Sequence, residues 1–188
     1  MTGRPPERHR PLGIGWPNVL SIGRIVLVPV IVGLLVAGSA PALWAAFGLF
    51  ALGAASDFLD GYLARRHEMT TTTGAWLDPL SDKLFVAAPA IVLAAQGSFP
   101  VWAAVLIVGR EILVALLRWR LDKQGVSMPA SKVAKAKTVS QLAAVGMAIA
   151  PLSSAWDRAE FIVVLTAVVL TAYSGAEYFL SSRHRVEA

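Results

Sequence analysis

Six predominantly apolar stretches, at 19–37, 41–58, 84–95, 101–117, 139–152 and 161–178, constrain this chain more than any other feature. With their flanks, most of them approach the roughly 20 residues that a helix needs to cross a bilayer. The third and fifth are shorter. Strands of a membrane barrel run about ten residues and alternate lipid-facing with lumen-facing side chains. These runs do not alternate, so the pattern predicts an all-α fold, an integral membrane bundle of six transmembrane helices in one domain. Gly38, Ser39 and Pro41 separate the first two stretches, Gly97, Ser98 and Pro100 the third and fourth, and Pro151, Ser153 and Ser154 the last two. Such tight connections predict antiparallel neighbours. The apolar share, 56%, lies above the roughly 45–50% of ordinary soluble domains.

Positive residues gather on the cytoplasmic side of membrane proteins. Here Arg4, Arg8, Arg10, Arg65, Arg66, Arg118, Arg120, Lys123, Lys132, Lys135, Lys137, Arg183 and Arg185 fall in the N-terminus, the second and fourth loops and the C-terminus, against Arg158 on the other side. Both termini are therefore expected in the cytoplasm. The net charge of +5 reads as a juxtamembrane belt for anionic lipid and phosphate, with no nucleic acid as partner. Residues 1–17 are expected to form a basic, Pro-rich interfacial lead-in, 18–182 the helical domain and 183–188 a short tail. The start of the chain also has the look of a cleavable leader, with basic residues, an apolar run and small residues before Pro41. The later spans need no leader, and Asn18, Ser21 and Arg24 place polar groups at the start of that run. The chain has no cysteine, which excludes disulfides, thiolate metal sites and a Cys nucleophile. His9, His67 and His184 have no metal-like spacing. All six tryptophans fall near the ends of expected spans, where indoles favour the interface.

Four aspartates interrupt this apolar chain as two pairs, Asp57 with Asp60 and Asp78 with Asp82. At spacings of three and four, each pair projects from one helix face. An ionised carboxylate at membrane depth is costly unless something cationic accompanies it. Carboxylate oxygens are the ligands that hard divalent ions such as Mg2+ or Mn2+ prefer, and a group of acids this size points to a pair of ions. The alternative is a set of ion pairs with Arg24, Arg65, Lys83 or Arg110.

From Asp57 to Asp82 the chain reads D-x2-D-G-x2-A-R-x8-G-x3-D-x3-D. This string resembles the signature of the CDP-alcohol phosphatidyltransferases at every fixed position. PNVLSIGR, GAWLDPLSDK, GREI and SKVAKAKTVSQ resemble segments of the branch of that family that makes phosphatidylglycerophosphate. Ala134 departs from that branch, which usually has Gly there. The resemblance implies transfer of a phosphatidyl group from CDP-diacylglycerol to glycerol 3-phosphate, and a homodimer. It also fits a bacterial cell (inner) membrane with the active site facing the cytoplasm.

The residues make physical sense for such a reaction, in which an alcohol attacks a lipid-linked phosphorus and cytidine monophosphate leaves by direct displacement. Asp57, Asp60 and Asp78 are the expected metal ligands. Asp82 is the expected general base, touching the second ion, and the resemblance implies the same division. Gly61 and Ala64 keep one helix face open to the nucleotide, and Arg65 offers fork-shaped donors. The resemblance implies that Thr71 and Gly74, in the loop returning to the second acid pair, line the nucleotide pocket, with Asn18 and Ser21 approaching from the first span. Arg110, midway along the fourth span beside Glu111, is expected with Lys135 and Lys137 to bind the acceptor's phosphate. Lys132 and Arg118 are weaker candidates. Arg110 pairing with Glu111, and lysines snorkelling to headgroups, are the competing accounts. Other acceptors, phosphatidylglycerol or inositol phosphate, would use the same chemistry. An ion or proton transporter would instead spread its acids along a path across the bilayer, and a silent lipid-binding scaffold would not need Asp82.

Overall fold

The computed structural model describes the backbone at residues 16–67, 74–123 and 132–186, and side chains at 22–56, 81–123 and 133–182. Within these residues the chain forms six α-helices and no strand. They are α1 (Trp16–Ala37), α2 (Ala40–His67), α3 (Gly74–Ala95), α4 (Val101–Lys123), α5 (Lys132–Ile149) and α6 (Asp157–Val186), with a 3-10 turn at Ser154–Trp156 before α6. The all-helical expectation holds. The helices outrun the apolar stretches that announced them, because a helix continues for as long as its backbone bonds are made and not for as long as its side chains are apolar. Thus α3 begins ten residues ahead of its apolar run, at Gly74, so that position opens a helix where the sequence reading had placed it in a loop. Likewise α6 continues past 182 to Val186.

Glycine makes the two sharpest reversals. Gly38 and Gly97 have φ of 65° and 77°, the left-handed region that side-chain-bearing residues avoid. After α3, Ser98 N–H donates to Leu93 C=O at 2.9 Å and Gly97 N–H to Ala94 C=O at 3.2 Å. Together these form a Schellman cap that satisfies carbonyls left over at the helix end. The Gln96 side chain then donates to Leu35 C=O at the end of α1, 3.0 Å away. That bond ties two helix ends together on one side of the bundle.

Helix α1 packs on α2 and α3, α5 on α6, α2 and α3, and α4 on α6 and α3. The core joins Ile31 and Leu35 of α1, Phe50 of α2, Phe85 and Leu93 of α3, Ile107 of α4, Val145 and Ile149 of α5, and Val164 of α6. Ala46, Ala90, Ala103, Ala144 and Ala167 place a fully buried alanine on each of α2 to α6. Small residues let helix backbones approach closely where lipid offers no hydrophobic push between helices. The outward faces are also apolar: Val105, Leu106, Ile112, Leu113 and Leu116 on α4, and Ile162, Leu165, Val169 and Leu180 on α6, are exposed. Among the described residues, one helix, Ser154–Ser182, has the length and composition to cross a membrane, and Ile22–Ala37 and Ala40–Ser56 are shorter apolar helices.

Candidate active site

The acid-bearing helices are joined by a close contact. Phe85 of α3 stacks on Phe50 of α2, with ring centroids 4.8 Å apart and planes 1° from parallel. The ring also lies over Gly53, where a Cβ would come within 2.5 Å of the Phe85 ring tip. Only glycine admits the ring at this distance. Position 57 is one turn beyond Gly53 on α2, and Asp82 is one turn before Phe85 on α3, so each shares a helix face with a contact residue. Neither Gly53 nor Phe85 stood out in the sequence. A glycine in an apolar run reads as ordinary helix-packing material until its neighbour is known.

Asp82 alone of the four aspartates has a described side chain. It is ion-paired with Arg24 of α1, whose guanidinium Nη1 donates to Asp82 Oδ1. The Arg24 side chain is 7% exposed and that of Asp82 48%, so the carboxylate reaches a surface while its partner is inside the bundle. This is the pairing with Arg24 that the sequence left open as the alternative for the acids, realised here for one of them. The side chains of Asp57, Asp60, Asp78, Gly61, Ala64, Arg65, Gly74, Asn18 and Ser21 lie outside the described side chains, and Thr71 lies outside the described residues. The backbone places 57, 60, 61, 64 and 65 on α2, 74 and 78 on α3, and 18 and 21 on α1.

A second polar cluster joins α4, α5 and α6. Lys137 Nζ of α5 donates to Glu111 Oε1 of α4. Arg110 Nη1 donates to the same oxygen at 3.1 Å, and Arg110 Nη2 donates to Ser174 Oγ of α6 at 2.8 Å. Two cations therefore share one carboxylate, a net positive charge among the described residues of this cluster. Arg110 Nε is buried and meets no acceptor among the described residues. Lys83, on the turn of α3 that carries Asp82, is within electrostatic reach of both Asp82 and Glu111, so the two clusters are neighbours. Nearby, Gln141 Nε2 of α5 donates to Thr171 Oγ1 of α6 at 2.8 Å, and both residues are buried.

Arg110 and Lys137 are thus brought together, while Lys135 lies exposed. Residues two apart on a helix are rotated by about 200° and cannot face one neighbour. Arg118 is exposed as well, and the Lys132 side chain lies outside the described ones. Glu111, Ser174, Gln141 and Thr171 were not read as site residues. Their signal was weak but present: polar residues spaced by three and four along an apolar helix, as at Thr171, Ser174 and Tyr178 in α6, mark an inward polar stripe.

A family model for the CDP-alcohol phosphatidyltransferases matches residues 15–173. The chain belongs to the CDP-alcohol phosphatidyltransferase family. It is 37% identical over 164 residues to a probable phosphatidylglycerophosphate synthase of Mycobacterium tuberculosis, covering 86% of this chain and 78% of that protein. It is also 37% identical over 170 residues to a CDP-diacylglycerol--glycerol-3-phosphate 3-phosphatidyltransferase of Pseudomonas fluorescens, with 86% and 87% covered. A protein of the same name from Rickettsia typhi is 35% identical over 167 residues, with 87% and 94% covered. Membership in this transferase family sets aside the transporter and scaffold alternatives. The match takes in all four aspartates, Arg24 and the Arg110–Glu111–Lys137 cluster, and it stops one residue short of Ser174.

Proposed function

We propose that this CDP-alcohol phosphatidyltransferase moves the phosphatidyl group of CDP-diacylglycerol to glycerol 3-phosphate, giving phosphatidylglycerophosphate and cytidine monophosphate. The observation that carries the reading is the eight-position aspartate motif on α2 and α3, two helices joined by the Gly53–Phe85 contact one turn from acidic positions on each. Relatives whose names state this reaction support the choice of acceptor.

The donor set fits hard divalent cations, since every candidate ligand is a carboxylate oxygen and no sulfur or clustered imidazole competes. Asp57, Asp60 and Asp78 would hold Mg2+ or Mn2+, with Asp82 bordering the second ion. Ions bound there supply charge neutralisation for the pyrophosphate and for the departing phosphate. Asp82 accepts the proton of the attacking hydroxyl, and Arg24 holds that carboxylate in place. The new bond forms between the acceptor oxygen and the lipid-linked phosphorus, and the pyrophosphate P–O bond breaks in the same displacement. Gly61 and Ala64 leave room for the nucleotide along α2, Arg65 donates to its phosphate or its cytosine carbonyl, and Asn18, Ser21, Thr71 and Gly74 complete that pocket. Arg110 and Lys137 bind the phosphate of the acceptor. Their net positive charge and the buried, unanswered Arg110 Nε support an anionic occupant. Lys135, exposed on another face of α5, draws anions toward that end of the bundle.

The bundle is read as spanning the membrane six times with both termini and the acids on the cytoplasmic side. Supporting this, Trp44, Trp102 and Trp156 are exposed at the starts of α2, α4 and α6, and Trp119 is exposed near the far end of α4. Along α4, Trp102 and Trp119 are about 26 Å apart at 1.5 Å per residue, close to the roughly 30 Å of a hydrocarbon core. Lys123 sits 3.7 Å from the centre of the Trp119 ring, a cation at headgroup level on the basic side. A homodimer is part of the same proposal.

The deciding experiment incubates purified protein with CDP-diacylglycerol and, in turn, glycerol 3-phosphate, inositol phosphate and phosphatidylglycerol, following release of cytidine monophosphate. Glycerol 3-phosphate is expected to be the preferred acceptor. Preference for either of the others overturns the assignment.

A further inference from the structure

Arginine reaches a phosphate best when its plane is fixed before the ligand arrives, and the surroundings of Arg110 do this from three sides. Its Nη1 is held by Glu111 on its own helix and its Nη2 by Ser174 of α6. Ser174 is 2% exposed, so the hydroxyl has no solvent to trade against the guanidinium. The next residue provides the space. A Cβ at Gly175 would lie 3.3 Å from Arg110 Cγ and 3.7 Å from Nε. The arginine stem therefore runs along the bare backbone of α6, and Cγ is the atom that a methyl at 175 would crowd. Both η nitrogens are already engaged, and Nε is the buried donor still without an acceptor among the described residues.

Building on the proposed acceptor site, we propose that Ser174 and Gly175 form a seat on α6 that positions Arg110 for the phosphate of the acceptor. One supplies the hydrogen bond that fixes the plane, and the other supplies the clearance that lets the arginine stem lie against α6. Neither residue touches the substrate. They are positioning residues, and they determine how well a small phosphorylated alcohol is held.

The test measures cytidine monophosphate release at varied glycerol 3-phosphate and, separately, at varied CDP-diacylglycerol, with folded protein matched by thermal melting in detergent. Ser174→Ala is expected to raise KM for glycerol 3-phosphate by about tenfold or more, the loss of one hydrogen bond to a charged group, and Gly175→Ala is expected to raise it by pressing a methyl group against the arginine stem. KM for CDP-diacylglycerol should move by less than about twofold in the same variants, because a lost local bond does not reach a separate pocket. Ser174→Thr keeps the hydroxyl and is expected to restore the acceptor KM. In an Arg110→Lys background, Ser174→Ala should add less than about twofold, because the bond that it removes is already gone. The seat is overturned if Arg110→Ala raises the acceptor KM while Ser174→Ala and Gly175→Ala do not, or if both KM values rise together. If Arg110→Ala itself leaves the acceptor KM unmoved, the acceptor site is misassigned and the seat falls with it.

Discussion

Asp82 sits where two demands meet. Its carboxylate is tied to a buried arginine, yet nearly half of the side chain remains exposed, which suits the base proposed for it, a group that must be oriented and also reach an incoming hydroxyl. Asp82→Asn is nearly isosteric and cannot accept that proton. It is expected to leave the fold intact and to lower the rate of cytidine monophosphate release by at least about a hundredfold, the usual worth of a positioned base. Thermal melting in detergent beside the turnover assay separates the two effects. Arg24→Ala removes orientation without removing the proposed base, so its loss is expected to be smaller, about tenfold. A loss as large as that of Asp82→Asn would give Arg24 a direct role in the chemistry. The aspartates were legible in the sequence because carboxylates in apolar runs at helical spacing have few explanations. The partner of Asp82 was not, because Arg24 is 58 residues away along the chain and competed with Arg65, Lys83 and Arg110 as equally plausible cations.

Elements meet here through small residues and flat rings. Gly53→Ala would drive a methyl group into the Phe85 ring, and that ring is buried and stacked on Phe50, so it has little room to turn away. Overpacking of this kind costs about 1–3 kcal/mol. The expected outcome is a lower melting temperature in detergent together with reduced turnover, since the same contact sets α2 against α3. A Gly53→Ala protein with unaltered melting and turnover would show that the two acid-bearing helices are held by other contacts. Helix identity and order were readable from the apolar runs, and the glycine reversals at Gly38 and Gly97 were readable from turn chemistry. The start of α3 at Gly74 was not, because the turns ahead of the apolar run carry Asp78, Ser81 and Asp82. In α4, Arg110 and Glu111 interrupt a run that is still legible as one span, and the fold pairs them inside the bundle.

At the scale of the whole molecule, an apolar interior is wrapped in an apolar exterior, and among the described residues the ion pairs that reach into the bundle are Arg24 with Asp82 and Glu111 with its two cations, while α4 ends in basic residues. Removing divalent ions with a chelator is expected to abolish cytidine monophosphate release, and adding back Mg2+ or Mn2+ to restore it. Full activity in excess chelator would remove the metal reading of the aspartates and leave ion pairing as their account. What the amino-acid order determined by itself is the set of helices, their approximate limits and the acidic motif that names the chemistry, because periodicity, turn residues and residue type act over a few turns of chain. The tertiary structure decided which distant groups meet: Phe85 over Gly53, Arg24 with Asp82, and Arg110 between Glu111 and Ser174. It also turned Lys137 inward and Lys135 outward. Those pairings depend on how helices rotate and approach one another, and that is settled by the packing of the entire bundle, which no local stretch of sequence contains.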